Sequence, residues 1–386
     1  MAQFESRKVI GQARPKSDIE SQIENIEKEI RETPYHKGTE HHIGKLRARI
    51  SRLRDKVQES TSRKSGGGGG GYAVKKQGDA TIILIGPPSA GKSTLINRLT
   101  NAQSKVAPYA FTTVSVIPGM MEYKNARIQI LDVPGLIEGA EEGKGRGKEV
   151  LSVARGADLI VILSDIKRPE AIERIKKTLE RNGIRLDIVR PNVIIDKKLS
   201  GGIMIHSNIK QDLSKETVKS VIEELGVKNA DVTINEKLTL ERLIDVFSKN
   251  RVYVPSISVI NKVDHENMHK IQYNPTDKSE PEAVIHHQYT RISSQTGYGI
   301  DPLIEKIWET LEFVNVFLIK PEDQPNFDHP FVMKIGNTLK EVAEKIGTEF
   351  AEDKNKAKIW GNGAKFPGQE VSLTTPIRDG MQIRFL

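Results

Sequence analysis

The sequence contains no cysteine, which excludes disulfides, thiolate metal sites and cysteine nucleophiles. It also lacks any apolar run of about 18 residues, the length needed for a membrane span. Residues 1–10 have no apolar core of the kind found in signal peptides. We therefore expect a cytoplasmic protein that does not bind membranes. A chain of 386 residues has room for about two to four domains.

Positive charge is abundant. The chain has 59 Lys and Arg residues against 51 Asp and Glu residues, a net charge of +8 and a pI of about 9.3. Basic chains of this size often bind polyanions. A lysine-rich solvated surface explains the same numbers equally well, so charge alone leaves both interpretations open.

The most informative motif is GPPSAGKST, residues 86–94, which follows an apolar run and precedes a helical pattern. This order predicts a strand, a glycine-containing loop and a helix. Such a loop wraps its backbone N–H groups around a phosphate chain at the N-terminus of the helix. Gly86 and Gly91 allow the turn, Lys92 can reach the β- and γ-phosphates, and the Ser93 hydroxyl can bind Mg²⁺. The residues predicted to contact the nucleotide here are Gly86, Pro87, Pro88, Ser89, Ala90, Gly91, Lys92, Ser93 and Thr94.

Two further segments are predicted to complete the phosphate and Mg²⁺ site. The sequence DVPG ends a predicted strand, where Asp132 can hold Mg²⁺ through water and the Gly135 N–H can sense the γ-phosphate. Thr113, with Thr112 as the second choice, can add a hydroxyl to the Mg²⁺ shell. Alternatively, this threonine pair only starts a strand. We predict the metal ligands to be Ser93, Thr113 and Asp132, and the catalytic residues to be Lys92, Thr113 and Gly135.

The motif NKVD predicts recognition of guanine. The Asp264 carboxylate can accept hydrogen bonds from both N1–H and the exocyclic amine of guanine, whereas adenine would face it with a bare acceptor. This argues against the alternative of an ATP-driven enzyme. Asn261 would support the loop or the base edge, and the stem of Lys262 would lie along the ring. A small-residue loop that can present N–H groups to the base follows at Ser293, Ser294 and Gln295.

One expected residue type is missing after Gly135. Ras-like GTPases place a glutamine there that orients the attacking water. This chain has Leu136 and Ile137, and neither side chain can position water. We therefore predict slow intrinsic hydrolysis.

The region after residue 80 alternates strand and helix patterns, which predicts an α/β fold with a doubly wound parallel sheet. Between Gly135 and Asn261 lie 125 residues, far more than two βαβ units of about 30 residues each require. We therefore predict an inserted small α/β domain. The predicted strands of the main sheet include 126–135, 157–165 and 254–264.

The N-terminal region predicts a helical hairpin, because residues 17–33 and 40–60 both carry heptad-like apolar stripes. Residues 36–64 hold nine Lys and Arg residues against three acids. This basic helix can bind RNA phosphates or can simply be a solvated face. Six consecutive glycines at 66–71 predict a flexible joint after it.

The C-terminal stretch predicts a small mixed β-sheet crossed by one helix, which Asn337 or Thr338 would cap. The predicted domains are the hairpin 1–65, a Gly-rich linker 66–79, a nucleotide-binding domain in two parts 80–169 and 246–313, the insert 170–245 and the tail domain 314–386.

Together these motifs resemble the developmentally regulated GTP-binding proteins (DRG), in the Obg–HflX class of translation-factor GTPases. GPPSAGKST and DVPGLIEGA mark the wider class, whereas TEHHIGKLRARISRLRDKV, SGGGGGGYAVKKQGDA and the insert mark this branch. The resemblance covers nearly the whole chain. It implies a P-loop GTPase domain, a hairpin similar to a helix-turn-helix, an insert similar to the second domain of a small-subunit ribosomal protein, and a C-terminal TGS domain, which is a ubiquitin-like β-grasp module.

The resemblance also implies a function: binding of GTP and GDP with Mg²⁺, association with ribosomes and action in translation. The class carries a hydrophobic residue in place of the catalytic glutamine, in agreement with Leu136. Several relatives use K⁺, and the best-understood K⁺ users carry asparagine in the phosphate loop where this chain has Ser89, so K⁺ stays an open cofactor. The expected partners are the ribosome, rRNA or tRNA, and a DRG-type regulatory protein. We expect no DNA partner and a monomer.

The leading hypothesis is therefore a GTPase switch that acts on ribosomes. In the alternative hypothesis the protein is an RNA-binding module, and its GTPase fold is mainly a scaffold with negligible turnover.

Overall fold

The structure is a computed structural model that describes residues 18–64, 77–100, 117–133, 146–248, 250–265 and 289–386. The predicted joint at 66–71 and the predicted functional residues Thr112, Thr113, Gly135 and Leu136 lie outside these ranges. Contacts divide the chain into two compact units. The first unit comprises Met1–Gly69 and Val189–Arg251, and the second comprises Gly70–Ile188 and Val252–Leu386.

The helices, in chain order, are α1 (Asp18–Glu32), α2 (Glu40–Lys64), α3 (Lys92–Leu99), α4 (Arg146–Arg155), α5 (Ala171–Arg181), α6 (Lys215–Glu224), α7 (Leu240–Phe247), α8 (Ile300–Thr310), α9 (Leu339–Ile346) and α10 (Thr348–Glu352). Among these described helices, none is both long enough and apolar enough to cross a membrane.

The strands are β1 (Ala80–Ile85), β2 (Ile117–Tyr123), β3 (Ala126–Asp132), β4 (Leu159–Asp165), β5 (Ile184–Leu186), β6 (Val193–Lys197), β7 (Ile203–Ser207), β8 (Ala230–Ile234), β9 (Val252–Val254), β10 (Ser256–Asn261), β11 (Thr290–Arg291), β12 (Phe313–Leu318), β13 (Pro330–Lys334), β14 (Lys356–Trp360), β15 (Gln369–Ser372) and β16 (Gln382–Phe385). A single 3₁₀ turn, Val263–His265, follows β10 within the described residues.

The second unit is built on a six-stranded sheet of order β11-β10-β4-β1-β3-β2. Its strands run parallel except β2, which pairs antiparallel with β3. The connecting residues Lys124 and Asn125 have positive φ angles of 44° and 70°, which is the backbone that a tight two-residue hairpin requires. The predicted doubly wound sheet is confirmed, with an antiparallel edge strand that the motif pattern did not indicate.

Helices cover both faces of this sheet, as alternate residues of β1 demonstrate. Ile82 and Leu84 pack with α3 and α8 in one core. Ile83 and Ile85 pack with α4 and α5 in the other. Because both faces of β1 are buried, the strand consists only of apolar residues and one threonine.

The second core also includes α5, the last helix before the chain passes into the first unit. Ile172, Ile175 and Leu179 of α5 are fully buried in it, so their apolar face holds α5 against the large sheet. The division between the units accordingly falls at Val189, whereas the insert was predicted to begin at residue 170.

The tail domain is a mixed five-stranded sheet of order β13-β12-β16-β14-β15, with α9 packed on it through Leu339 and Val342. Of the two predicted helix caps, the structure selects Thr338. Its side chain and that of Glu341 form a reciprocal capping box, while Asn337 donates to Glu341 from outside the helix at 2.7 Å.

The tail domain contacts the large sheet at the amino ends of its strands. Lys345 Nζ lies 2.9 Å from Asp79 Oδ1, just before β1. Lys334 Nζ lies 3.7 Å from Asp158 Oδ1, just before β4. The carboxyl ends of the same strands therefore face away from the tail domain.

The first unit combines the helical hairpin with the insert. Ile26 of α1 packs against Leu46 and Ile50 of α2, as the apolar stripes predicted. The opposite side of α2 lies on α6 of the insert, and Gly44 allows this close approach, because a Cβ there would lie 3.1 Å from Val221 Cγ2. The insert itself is a three-stranded sheet, β6-β8-β7, covered by α6 and α7.

A buried ion cluster joins the hairpin to the insert. Arg251 Nε donates to Asp245 Oδ1 of α7 at 2.7 Å, and Arg251 Nη2 donates to Ser51 Oγ of α2 at 2.8 Å. Asp55 of α2 lies 3.8 Å from the same guanidinium. The Arg251 side chain is 11% exposed and that of Asp245 is 6% exposed, so these charges rely on each other rather than on water.

Candidate functional site

The polar residues singled out by the sequence meet at the carboxyl edge of the large sheet. The loop that starts at Gly86 follows β1, Asp132 ends β3 and Asn261 ends β10. Asp165 ends β4 and lies in register beside Asn261. In a doubly wound sheet, ligands bind at this edge where the strand order reverses, and β1 occupies that point here.

The loop 86–91 has a backbone that its glycines make possible. Gly91 has φ 95° and precedes α3 as its N-cap, and a Cβ there would lie 2.2 Å from Asn261 Nδ2. A Cβ on Gly86 would lie 2.2 Å from the Leu163 carbonyl oxygen. Ser89 is the one non-glycine residue of the loop with positive φ, at 61°. Pro87 and Ala90 are buried, whereas Pro88, Ser89, Ser93 and Thr94 are exposed.

Lys92 is buried at the first position of α3. Its ammonium group donates to the carbonyl oxygens of Gly86 at 3.1 Å and Pro87 at 3.3 Å. The loop carbonyls therefore hold a positive charge inside the curve of the loop, at the N-terminus of a helix, where anions bind.

Ser93 and Asp132 form the second predicted contact. Ser93 Oγ donates to Asp132 Oδ2 at 3.0 Å. Burial raises the pKa of the Asp132 carboxyl, while the charge of Lys92 and the Ser93 hydrogen bond oppose that rise. Asp132 Oδ1 is buried and has no hydrogen-bond partner among the described residues. A carboxylate oxygen of this kind beside a hydroxyl fits a Mg²⁺ ion, which prefers oxygen ligands and bound water.

Asn261 connects the phosphate loop to the loop after β11. Its side chain is buried, and Nδ2 donates to the Ala90 carbonyl at 2.8 Å. Its Oδ1 accepts from Ser294 N at 2.9 Å and from Ser294 Oγ at 3.1 Å. Of the two roles that the sequence left open, support of the loop matches these contacts, because both ends of the amide are engaged by the protein.

The other residues of the predicted base site lie in the turn after β10 and in the loop after β11. Lys262 has φ 65° and turns the chain sharply after β10, so that Asp264 lies exposed in the 3₁₀ turn. Ser293 is buried and its Oγ accepts from Thr296 N at 3.1 Å. Gln295 is exposed in the same compact loop.

Sequence reasoning missed Asp165 and Arg168. Arg168 Nη2 donates to Asp165 Oδ2 at 2.7 Å and to the Pro88 carbonyl at 3.0 Å. Burial works against ionisation of Asp165, but the Arg168 hydrogen bond and charge, the Lys167 N–H and the charge of Lys262 together hold the pKa of that carboxyl below its usual value. The available signal was an aspartate at the end of the buried strand β4, on the same edge as the other site residues.

Three family models match successive parts of the chain. The model described as 50S ribosome-binding GTPase (MMR_HSR1) matches residues 81–197. The model of the C-terminal region of that domain matches residues 200–313, and the TGS domain model matches residues 314–386. The matched TGS range coincides with the predicted tail domain.

Several proteins are similar along most of the chain. An uncharacterized GTP-binding protein of Methanocaldococcus jannaschii is 45% identical over 363 residues, which cover 94% of this chain and 91% of that protein. Developmentally-regulated GTP-binding protein 2 of Homo sapiens is 37% identical over 359 residues, which cover 92% of this chain and 96% of that protein.

Two solved structures align at lower similarity. A GTP binding protein from Pyrococcus horikoshii is 14% identical with a TM-score of 0.40, covering 79% of this chain and 99% of that chain. The Schizosaccharomyces pombe YchF GTPase is 14% identical with a TM-score of 0.39, covering 81% of this chain and 99% of that chain. The sequence relatives, rather than these structures, define the family.

Proposed function

Because the chain belongs to the family of developmentally regulated GTP-binding proteins and carries a GTPase domain, we propose that it is a slowly hydrolysing GTP switch that acts on ribosomes through RNA contacts. The observation that carries the proposal is the Asn261 side chain, which ties the phosphate loop at Ala90 to the base-side loop at Ser294. A nucleotide that occupies both loops would stabilise this arrangement as one unit.

The phosphate side of the proposed site uses three residues. Lys92 would exchange its contacts with the Gly86 and Pro87 carbonyls for contacts with phosphate oxygens. Ser93 and the unpaired Oδ1 of Asp132 would hold Mg²⁺, directly and through water respectively. Bound Mg²⁺ would neutralise charge on the β- and γ-phosphates. Thr113 and Gly135 remain the residues proposed to hold their loops near the γ-phosphate.

The base side of the proposed site depends on Asp264. Replacing its acceptor pair by an amide should favour xanthine, which presents an acceptor where guanine presents a donor. We expect Asp264→Asn to lose GDP affinity and to gain affinity for xanthosine diphosphate, measured by competition against a fluorescent nucleotide. Asp353→Asn, which removes the same charge from an exposed position in the tail domain, serves as the control. Unchanged guanine preference in Asp264→Asn would refute the base-reading role.

Slow turnover is proposed because Leu136 and Ile137 cannot position water. Hydrolysis should be measured with and without ribosomes, in Na⁺ and in K⁺ buffer, because Ser89 leaves the K⁺ requirement open. We expect a low basal rate that ribosomes raise, and loss of turnover in Lys92→Ala and Ser93→Ala. Full hydrolysis by both variants would contradict the proposed phosphate site. Negligible turnover in every buffer, with or without ribosomes, would favour the scaffold alternative.

The ribosome is proposed as the partner because the matched GTPase model is described as ribosome-binding and the chain is basic. Co-sedimentation with ribosomes should be measured with GTP, GDP and a non-hydrolysable analogue across a salt series. We expect binding to depend on the nucleotide and to weaken steeply with salt. Identical binding with all three nucleotides would refute a switch.

A further inference from the structure

Between residues 41 and 57, the exposed side chains of helix α2 are all basic. Among its described side chains from residue 41 to 57, the exposed ones are His42, Lys45, Arg49, Arg52 and Lys56. Four of these side chains follow one another at spacings of four, three and four residues, so they form a single row along the helix. We call Lys45, Arg49, Arg52 and Lys56 the α2 row. It extends for about 16 Å at 1.5 Å per residue.

The other two sides of α2 are covered by protein. Leu46 and Ile50 face α1, and Gly44 faces α6. The cations at the borders of these contacts are paired: Arg47 with Glu241 of α7, and Arg54 with Glu27 of α1. For the lysines and arginines between residues 45 and 56, the structure thus distinguishes a paired set from the α2 row, which the sequence could not do.

The α2 row is not neutralised by the rest of the unit. Within the described residues, Lys45, Arg49 and Lys56 form no ion pair, and Arg52 donates only to the Glu224 carbonyl at 3.2 Å. Like charges three and four residues apart destabilise a helix, and ordinary surfaces intersperse both signs. A row of this kind is therefore electrostatically unfavourable unless an anionic partner binds it.

We propose that the α2 row binds the phosphate backbone of double-stranded RNA, independently of base sequence. The regular spacing and single sign suit a polyanion. The row contains no aromatic side chain, and its two lysines offer no plane on which an unpaired base could stack, so only the two arginines could stack bases. This composition favours duplex over single-stranded RNA. The row also contains no apolar side chain that could enter a lipid interface, because the apolar residues of α2 are turned toward α1 and the insert. This inference rests on the RNA contacts of the proposed function.

The test compares two variants that each replace two arginines of α2 by glutamine and so remove the same charge from the same helix. Arg49→Gln with Arg52→Gln removes two members of the α2 row, whereas Arg47→Gln with Arg54→Gln removes two paired arginines. Thermal melting of both variants checks that the first unit still folds. Binding to a labelled 20-base-pair RNA duplex of arbitrary sequence is measured by fluorescence anisotropy over a KCl series, with the corresponding single strand and anionic phospholipid vesicles as further probes.

Loss of two phosphate contacts should lower the slope of log affinity against log salt by about 1.8, and should weaken duplex binding about sixtyfold near 0.1 M salt. The paired-arginine variant should keep most of the wild-type slope. Equal losses in the two variants, unchanged duplex binding in the row variant, or tighter binding to the single strand or to vesicles would overturn the proposal.

Ribosome co-sedimentation of the wild-type protein and both variants separates this inference from the proposed function. If the wild-type protein and the row variant bind both ribosomes and the RNA duplex equally, the α2 row is refuted while the ribosomal role stands. If the wild-type protein binds no ribosomes but its duplex binding depends on the row, the ribosomal role fails and the row is supported. If only ribosome binding depends on the row and duplex binding does not, a protein surface is the partner and the RNA proposal is refuted.

Discussion

Replacement of Asn261 by alanine tests whether one buried amide holds the candidate site together. The side chain is 2% exposed and makes three hydrogen bonds, one to the Ala90 carbonyl and two to Ser294. The Asn261→Ala variant leaves the Ala90 carbonyl and the Ser294 N–H without this partner. Each buried group that loses its partner costs about 1–3 kcal/mol, so the two groups together should cost about 2–6 kcal/mol.

If Asn261 has to hold the two loops in place mainly when the nucleotide is bound, the lost free energy appears as weaker nucleotide affinity. The Kd for GDP should then rise about 30- to 20,000-fold, with the preference for guanine over xanthine unchanged, since Asn261 contacts protein at both ends of its amide. Fluorescent GDP titration measures the affinity, and thermal melting of the nucleotide-free protein measures how much of the loss falls on stability.

Ser294→Ala provides the matched control, because it removes the hydroxyl donor at 3.1 Å and keeps the N–H donor at 2.9 Å. We expect its GDP affinity to fall less than about fivefold, since one exchangeable hydrogen bond contributes about 1 kcal/mol or less. A Kd for Asn261→Ala within threefold of wild type, without a matching loss of stability, would refute the reasoning. So would an altered guanine preference, because it would place the amide on the base.

Three further substitutions test the phosphate loop and the buried ion cluster. Arg168→Ala should speed GDP dissociation about three- to tenfold, because the Pro88 carbonyl loses its charged donor at 3.0 Å; stopped-flow release at the wild-type rate would count against this contact. Arg251→Ala should destabilise the first unit by about 3–5 kcal/mol, because it removes the guanidinium charge that faces the buried Asp245 carboxylate at 2.7 Å; urea unfolding with hydrogen exchange in α2 and α7 measures it, and a loss below about 1 kcal/mol would contradict it. Gly91→Ala should weaken GDP binding at least tenfold, because the residue has φ 95° and its Cβ would lie 2.2 Å from a side-chain amide; near-normal binding by titration would show that the loop can relax.

Much of the second unit could be predicted because its signals are local. A strand that starts with five apolar residues, such as β4, and a loop with glycines at both ends, such as 86–91, can be recognised within a few residues of sequence. The register that places Asp165 beside Asn261 could not be predicted in the same way, because it depends on strand pairing between distant segments. For that reason Arg168, which follows β4 and reaches the Pro88 carbonyl, was missed.

The helical hairpin illustrates the same limit. The apolar stripes predicted that α1 and α2 pack together, and Ile26 does contact the α2 stripe. The packing of α2 on the insert depends on Gly44, whose missing side chain makes room for Val221 more than 170 residues away along the chain. A glycine within a helix looks like a local weakness in the sequence, and only its neighbour in space explains it.

The sequence by itself determined the class of chemistry. The motif at 86–94, the aspartate at 132 and the NKVD motif predicted a guanine-nucleotide site from residue types and spacing, because backbone cradles and ligand donors are encoded over short distances. The tertiary structure alone decided which groups share one site and which charges are neutralised. It joined Ala90 to Ser294 through Asn261, and it paired Arg47 while leaving Arg49 exposed. Those outcomes depend on long-range packing, which brings together residues that no local pattern relates.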